Sequence, residues 1–127
     1  LNLLIKLIYI QLILMRIFVA AMPFRVIYKF LEFVKNSSLT NDNDDFSEMC
    51  FISNKIKNCA NNLKINNCLT ISSLIFFRLR KEGFILSFNI AVKKRGNRLE
   101  SHCWVSNNQR PLLLENGLDE LSLITYI

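Results

Sequence analysis

Asn66-Asn67-Cys68-Leu69-Thr70-Ile71-Ser72-Ser73-Leu74-Ile75-Phe76-Phe77-Arg78-Leu79-Arg80-Lys81 is the segment on which the other elements of this chain have to pack. Asn is among the best helix N-caps, because its side-chain oxygen accepts from the unpaired N–H groups of a first turn. From Cys68 onward, apolar residues fall on nearly every side of a 3.6-residue turn, so the predicted helix is central and buried. Arg78, Arg80 and Lys81 gather in its last turn, where cations meet the negative end of the helix dipole. Gly83 supplies the stop.

Downstream the pattern changes to strands. Phe84–Val92 reads as a first strand, Lys93–Asn97 (with Gly96) as a turn and Leu99–Ser106 as a second strand. Asn107–Arg110 is expected to be a loop and Pro111–Leu114 a third strand, and the closing residues 120–127 add one more short strand. Upstream, residues 63–67 form a connector. A helix beginning near Phe46 and ending at Asn61-Asn62 is expected, capped by Asp44 or Asp45, with Glu48 in its first turn. Met49, Ile52, Ile56 and Cys59 recur on it at helical spacing, which makes Cys59 core and Cys50 either core or a partly exposed flank. Residues 36–45 are polar and acidic and read as a loop. Phe24–Lys35 is a further helix, set off by Pro23. Helices followed by antiparallel strands give an α+β fold, with the cysteine-bearing helix on a small sheet.

Residues 1–22 are almost continuously apolar and about long enough to cross a bilayer, for which roughly 20 residues suffice. Lys6 and Arg16 fall inside the stretch, and each is costly near a bilayer centre. At 100° per residue Asn2, Lys6, Tyr9 and Arg16 form one narrow stripe, with Gln11 opposite. That pattern suits a helix packed on its own domain, on a partner or on a membrane surface; a transmembrane span is the other reading.

The chain has 127 residues, 51% of them apolar and 20% charged. That is a globular composition, and its length is that of one domain, residues 1–127. The net charge of +6 suits an acidic partner, a membrane surface or plain solubility. Without a Gly-rich phosphate loop, an aromatic RNA-binding signature or zinc-finger spacing, it does not point to nucleic acid. The four cysteines, at 50, 59, 68 and 103, follow no secretory cleavage signal and read as thiols in a reducing, cytoplasmic compartment. They form no CxxC pair, so no metal site is expected.

Cys68 and His102 carry the chemistry. A thiol is a strong nucleophile only as thiolate, which the positive end of a helix and a neighbouring imidazole both favour. The N–H groups of the same helix start can also stabilise a tetrahedral oxyanion. A cysteine opening a helix and a histidine on a following strand is the arrangement of papain- and transglutaminase-type thiol enzymes. His102, the only histidine, shares a strand face with Trp104, while Cys103 and Val105 take the other. A third residue should orient the imidazole. If Ser106 pairs with Pro111, stepping back along the ladder puts His102 opposite Glu115. A turn at Asn107-Asn108 would instead bring Leu113 there, with Asn116 and Asp119 as the remaining candidates.

Cys68-Leu69-x-x-Ser72, the long apolar helix ending in basic residues and Gly83, and His102-Cys103-Trp104-Val105 resemble the leader peptidases of lasso-peptide biosynthesis. These are a branch of the transglutaminase-like cysteine proteins. Residues 16–31, with Met22-Pro23-Phe24, are similar to the opening helices of that family. The resemblance implies a cysteine peptidase that cuts the leader from a ribosomally made precursor peptide. Cys68 would be its nucleophile, His102 its general base and acid, and Glu115 its orienting acid, with no cofactor. It also implies two partners, a separate leader-recognition protein and an ATP-dependent cyclase. The chain departs from the family pattern in Ser101 and Cys103 beside the histidine, in Thr70-Ile71 after Cys-Leu, and in Glu115 where Asp is usual. The alternatives are a transglutaminase-like acyl transferase, and a non-catalytic membrane-associated protein in which Cys68 is core.

Overall fold

The computed structural model describes residues 2–37, 45–113 and 122–126. Helices α1 (Asn2–Ala21), α2 (Phe24–Ser37), α3 (Phe46–Asn62) and α4 (Cys68–Lys81) precede β1 (Ser87–Arg95), β2 (Arg98–Asn107), β3 (Arg110–Pro111) and β4 (Ser122–Tyr126). The strands form one antiparallel sheet in the order β3-β2-β1-β4. The expected α+β class is the observed one.

α4 is the axis of the molecule. Asn67 caps it as its sequence demands, its Oδ1 accepting from the N–H of Leu69 at 2.9 Å and of Thr70 at 3.3 Å. Every residue from Thr70 to Phe76 is buried, and Phe76 meets Phe88 of β1 edge-on, with ring centroids 5.9 Å apart. α1, α2 and α3 pack around the remaining sides of α4. Ile8, Leu12 and Met15 supply the inner stripe of α1; Ile27, Leu31 and Val34 supply that of α2. Asp45, one of the two residues expected to cap α3, does so through Oδ1, which accepts from the Glu48 N–H at 3.1 Å.

The basic last turn of α4 is more than a complement to its dipole. Arg80 is buried and donates through Nη2 to the carbonyl of Lys35 (2.9 Å) and through Nη1 to that of Phe84 (3.3 Å). It thereby satisfies a carbonyl in the last turn of α2 that would otherwise lack a partner. Desolvation by burial lowers its pKa from the ordinary arginine value.

The strands depart from expectation at their ends. β1 begins at Ser87 and not at Phe84, because the chain leaves α4 through Gly83 in the left-handed region (φ 92°). The Phe84 N–H is spent on the carbonyl of Leu79. Phe84 and Leu86 are apolar because they are core, not because they are strand. β1 and β2 run into a two-residue turn at Gly96-Asn97, with Gly96 at φ 59° in the first central position, a left-handed conformation that Gly adopts without steric cost. The loop expected over Asn107–Arg110 is tighter: Asn107 pairs with Arg110, and Asn108 and Gln109 make the turn, both with positive φ. A strand over Pro111–Leu114 was expected; β3 is confined to Arg110–Pro111, although the Leu112 N–H still donates to the Val105 carbonyl at 3.1 Å, and Leu114 lies outside the described residues.

Candidate active site

Cys68 is the first residue of α4 and is half-buried. It opens onto a cavity of about 680 Å³. α4 contributes Cys68, Ile71 and Ser72 to its wall; α3 contributes Phe46, Cys50, Asn54 and Lys57. The rest is formed by Asn66, by His102 of β2, and by Pro111, Leu112 and Leu113 beyond the second hairpin turn. Cys68 and His102, 34 positions apart in sequence, thus line one cavity.

Two links fix the start of α4 against the sheet. Asn67 holds the first turn, and the Ser72 hydroxyl donates to the carbonyl of Cys103 at 3.2 Å, a residue away from His102. Strand alternation gives Cys103 and Val105 to the core, opposite Ile90 and Phe88 of β1. His102 and Trp104 share the other face, and their rings stack with centroids 5.8 Å apart and planes 21° from parallel. His102 is half-buried and borders the cavity where Pro111–Leu113 leave the sheet. The Trp104 ring restricts the imidazole from one side.

The cap has a chemical consequence. The sequence suggests the N–H groups of the helix start as oxyanion donors, yet Asn67 Oδ1 takes those of Leu69 and Thr70, and the Ile71 N–H bonds the Asn67 carbonyl at 3.2 Å. Of the uncharged donors bordering the cavity, the Ser72 hydroxyl is given to the Cys103 carbonyl and Asn54 Nδ2 donates to the Cys50 carbonyl at 2.9 Å; the Asn66 amide stands beside them.

The α3 wall escaped sequence reasoning. Phe46, Cys50, Asn54 and Lys57 recur at i, i+4, i+8 and i+11, a second helical stripe beside the buried one of Met49, Ser53, Ile56 and Ala60. That spacing was the available signal, but its mixed polarity does not announce a shared face. The Arg110 guanidinium lies over the Phe46 ring, 4.2 Å from its centroid, and is held by the Asn107 Oδ1 at 2.7 Å. Burial pushes the Cys50 thiol above its ordinary pKa, with the positive charge of Arg110 working against it.

The pairing on which Glu115 depends can be followed for two steps. Ser106 pairs with Pro111 and Asn107 with Arg110, the register that, continued, sets His102 against Glu115. Glu115, Asn116 and Asp119 themselves lie outside the described residues. Among the described residues, no three His, Cys, Asp or Glu side chains gather as a metal site would require.

Residues 18–123 match the family model of the Transglutaminase-like superfamily. The chain belongs to that superfamily. The match takes in α2, α3, α4 and the first three strands, with Cys68 and His102 inside it, and leaves out most of α1. The superfamily generally comprises cysteine peptidases and transglutaminases, so membership is consistent with either peptidase or acyltransferase activity. Neither the curated proteins nor the solved structures gave a match.

Proposed function

We propose that residues 1–127 form one cysteine peptidase domain that removes the leader from a ribosomally made lasso-peptide precursor, in the cytoplasm. The observation that supports this reading is the cavity lined by both Cys68, at the capped start of a buried helix, and His102. In the reaction, the Cys68 thiolate attacks the scissile carbonyl carbon, and the oxyanion accepts from the Asn66 side-chain amide. His102 gives its proton to the departing amine as the C–N bond breaks, leaving a thioester on Cys68. His102 then takes a proton from water, whose oxygen attacks the thioester. The C–S bond breaks, the leader leaves as a carboxylic acid and the thiolate is restored. Glu115 orients the imidazole. A leader-recognition protein delivers the precursor, and an ATP-dependent cyclase closes the freed amino terminus onto an acidic side chain.

The test is cleavage of a cognate precursor, supplied with the recognition protein, by the wild-type chain and by Cys68→Ala and His102→Ala. Loss of cleavage in both folded variants supports the assignment; cleavage persisting in both sinks it. Adding a primary amine during turnover distinguishes the outcomes, since an acyl transferase would yield an amide in place of the acid. Alkylation mapping gives an independent check: Cys68 should react faster than Cys50 and Cys59 near neutral pH and lose that lead in His102→Ala.

A further inference from the structure

α1 carries two apolar stripes where its own domain uses one. Ile8, Leu12 and Met15 face inward, and on the opposite side Leu3, Leu7, Ile10, Leu14 and Ile17 recur at alternating four- and three-residue steps with Ile13 beside them. These outer residues are far from casually exposed: Leu3 is 79% accessible, and Leu14 and Ile17 are 60%. At 1.5 Å per residue the outer stripe is about 20 Å long. It is longer and more continuous than the scattered apolar residues of an ordinary surface. Met22 and Phe24 extend it past the end of the helix.

Polar residues mark both borders of this stripe, and most are basic. Lys6, Tyr9 and Arg16 run along one side. On the other, Leu7 and Gln11 share a depression with Arg78, Lys81 and Glu82 of α4. Through residue 37 the sequence carries Lys6, Arg16, Arg25, Lys29 and Lys35 against the single acid Glu32. An apolar stripe framed by cations fits a surface that is apolar beneath and anionic on top. A second copy of the chain fits less well, because a two-fold contact would bring the same cations together.

We propose that the outer face of α1 docks this protein in the plane of an anionic lipid bilayer, its leucines and isoleucines entering the acyl boundary and the bordering cations meeting phosphate headgroups. α1 has the length and composition to cross a membrane, and only 17% of its apolar window is buried. Crossing would nevertheless strip Ile8, Leu12 and Met15 from the domain, whereas lying flat keeps them packed. Docking also leaves the cavity open. α1 rests on the side of α4 that carries Leu74, Phe77 and Arg78, while Cys68, Ile71 and Ser72 look elsewhere.

The test is co-sedimentation of the full chain with phosphatidylcholine vesicles, with and without phosphatidylglycerol. Binding is expected to phosphatidylglycerol vesicles, to fall as salt is raised and to be much weaker to phosphatidylcholine alone. The Ile10→Ser, Leu14→Ser, Ile17→Ser variant should lose binding with no loss of melting temperature. Lys6→Ala and Arg16→Ala should each weaken it about fivefold. Absence of binding, or equal binding to both vesicle types, would overturn the proposal. Retention through alkaline carbonate would show a span instead. A dimer in light scattering that the serine variant disperses, with no vesicle binding, would assign the face to a second copy.

Discussion

Replacing Asn67 tests the link between helix capping and thiol chemistry, because its two roles separate in two variants. Asn67→Ala removes the acceptor of both the 2.9 Å and the 3.3 Å bonds at the start of α4. Losing an N-cap costs about 0.5–2 kcal/mol, and two donors at a half-buried site put the expected loss near 1.5 kcal/mol. For a chain of this size that lowers the melting temperature by roughly 3–6 °C. The first turn then frays, and alkylation of Cys68 near neutral pH should slow several-fold. Asn67→Asp keeps the acceptor and adds a negative charge at a helix N-terminus, so stability should hold or rise by about 0.3–1 kcal/mol. The same carboxylate stands next to Cys68 and disfavours its thiolate. At about 1 kcal/mol for like charges in a partly exposed site, alkylation should slow about fivefold. Thermal melts and mass-spectrometric mapping of iodoacetamide adducts read both effects. The reasoning is refuted if Asn67→Ala melts within a degree of wild type, or if Asn67→Asp protects the fold while Cys68 reacts at an unchanged rate.

Arg80→Met should destabilise by about 2–4 kcal/mol in urea unfolding, since it leaves the carbonyls of Lys35 and Phe84 without their charged donor. A loss under 1 kcal/mol would show that those bonds contribute little. Ser73→Ala should instead stabilise, by about 0.5–1.5 kcal/mol, because the Ser73 hydroxyl is buried in mid-helix and pairs with no group among the described residues; a destabilised variant contradicts this. Gly96→Ala meets open space but must hold φ 59°, so a cost of about 1 kcal/mol from backbone strain alone is expected in the same assay. For Cys50 the sign follows from burial: a raised pKa keeps the thiol protonated at neutral pH, and its alkylation should accelerate only above the ordinary thiol range. Rapid labelling of Cys50 at pH 7 would contradict the burial.

What the sequence made legible was whatever a local rule decides. Asn67 and Asp45 cap, Pro23 separates two helices, and Cys68–Lys81 is apolar all round; each is settled within a turn or two of chain. The second hairpin register was readable only to two alternatives, because the cluster of turn residues allowed a turn at Asn107-Asn108 as well as the Ser106–Pro111 pairing that is found, with Asn108 and Gln109 as the turn. Strand beginnings were not readable: a core residue leaving a helix, such as Phe84, has the same apolarity as one in a strand. The cavity divided along the same line. Cys68 has a local signature in its cap, while the α3 wall exists only because α3 lies against α4. Arg80 is the sharpest case. Its place in a basic last turn has a sufficient local explanation, and nothing in the local sequence tells that its guanidinium is buried against another helix.

Arg80 bears on the site from the far end of α4. The helix is held at its C-terminal half by Arg80 on the Lys35 and Phe84 carbonyls and by Arg78 on Gln11, and at its N-terminal half by Ser72 on the Cys103 carbonyl. Any slide of α4 along its axis must break these charged bonds, which are directional, and the Arg80 side chain that makes two of them is buried. The position of Cys68 against β2 is set by the Ser72–Cys103 bond and the N-cap, while the arginine bonds at the far end hold α4 against α1 and α2. Such an arrangement lets the cavity end of α4 remain partly solvated without loosening the helix that carries it. It also separates two surfaces of one helix bundle: the flank of α4 under α1 is cationic at its border, and the capped end opens onto the cavity. A protein held at a bilayer by the outer face of α1 would keep that open end clear for a substrate.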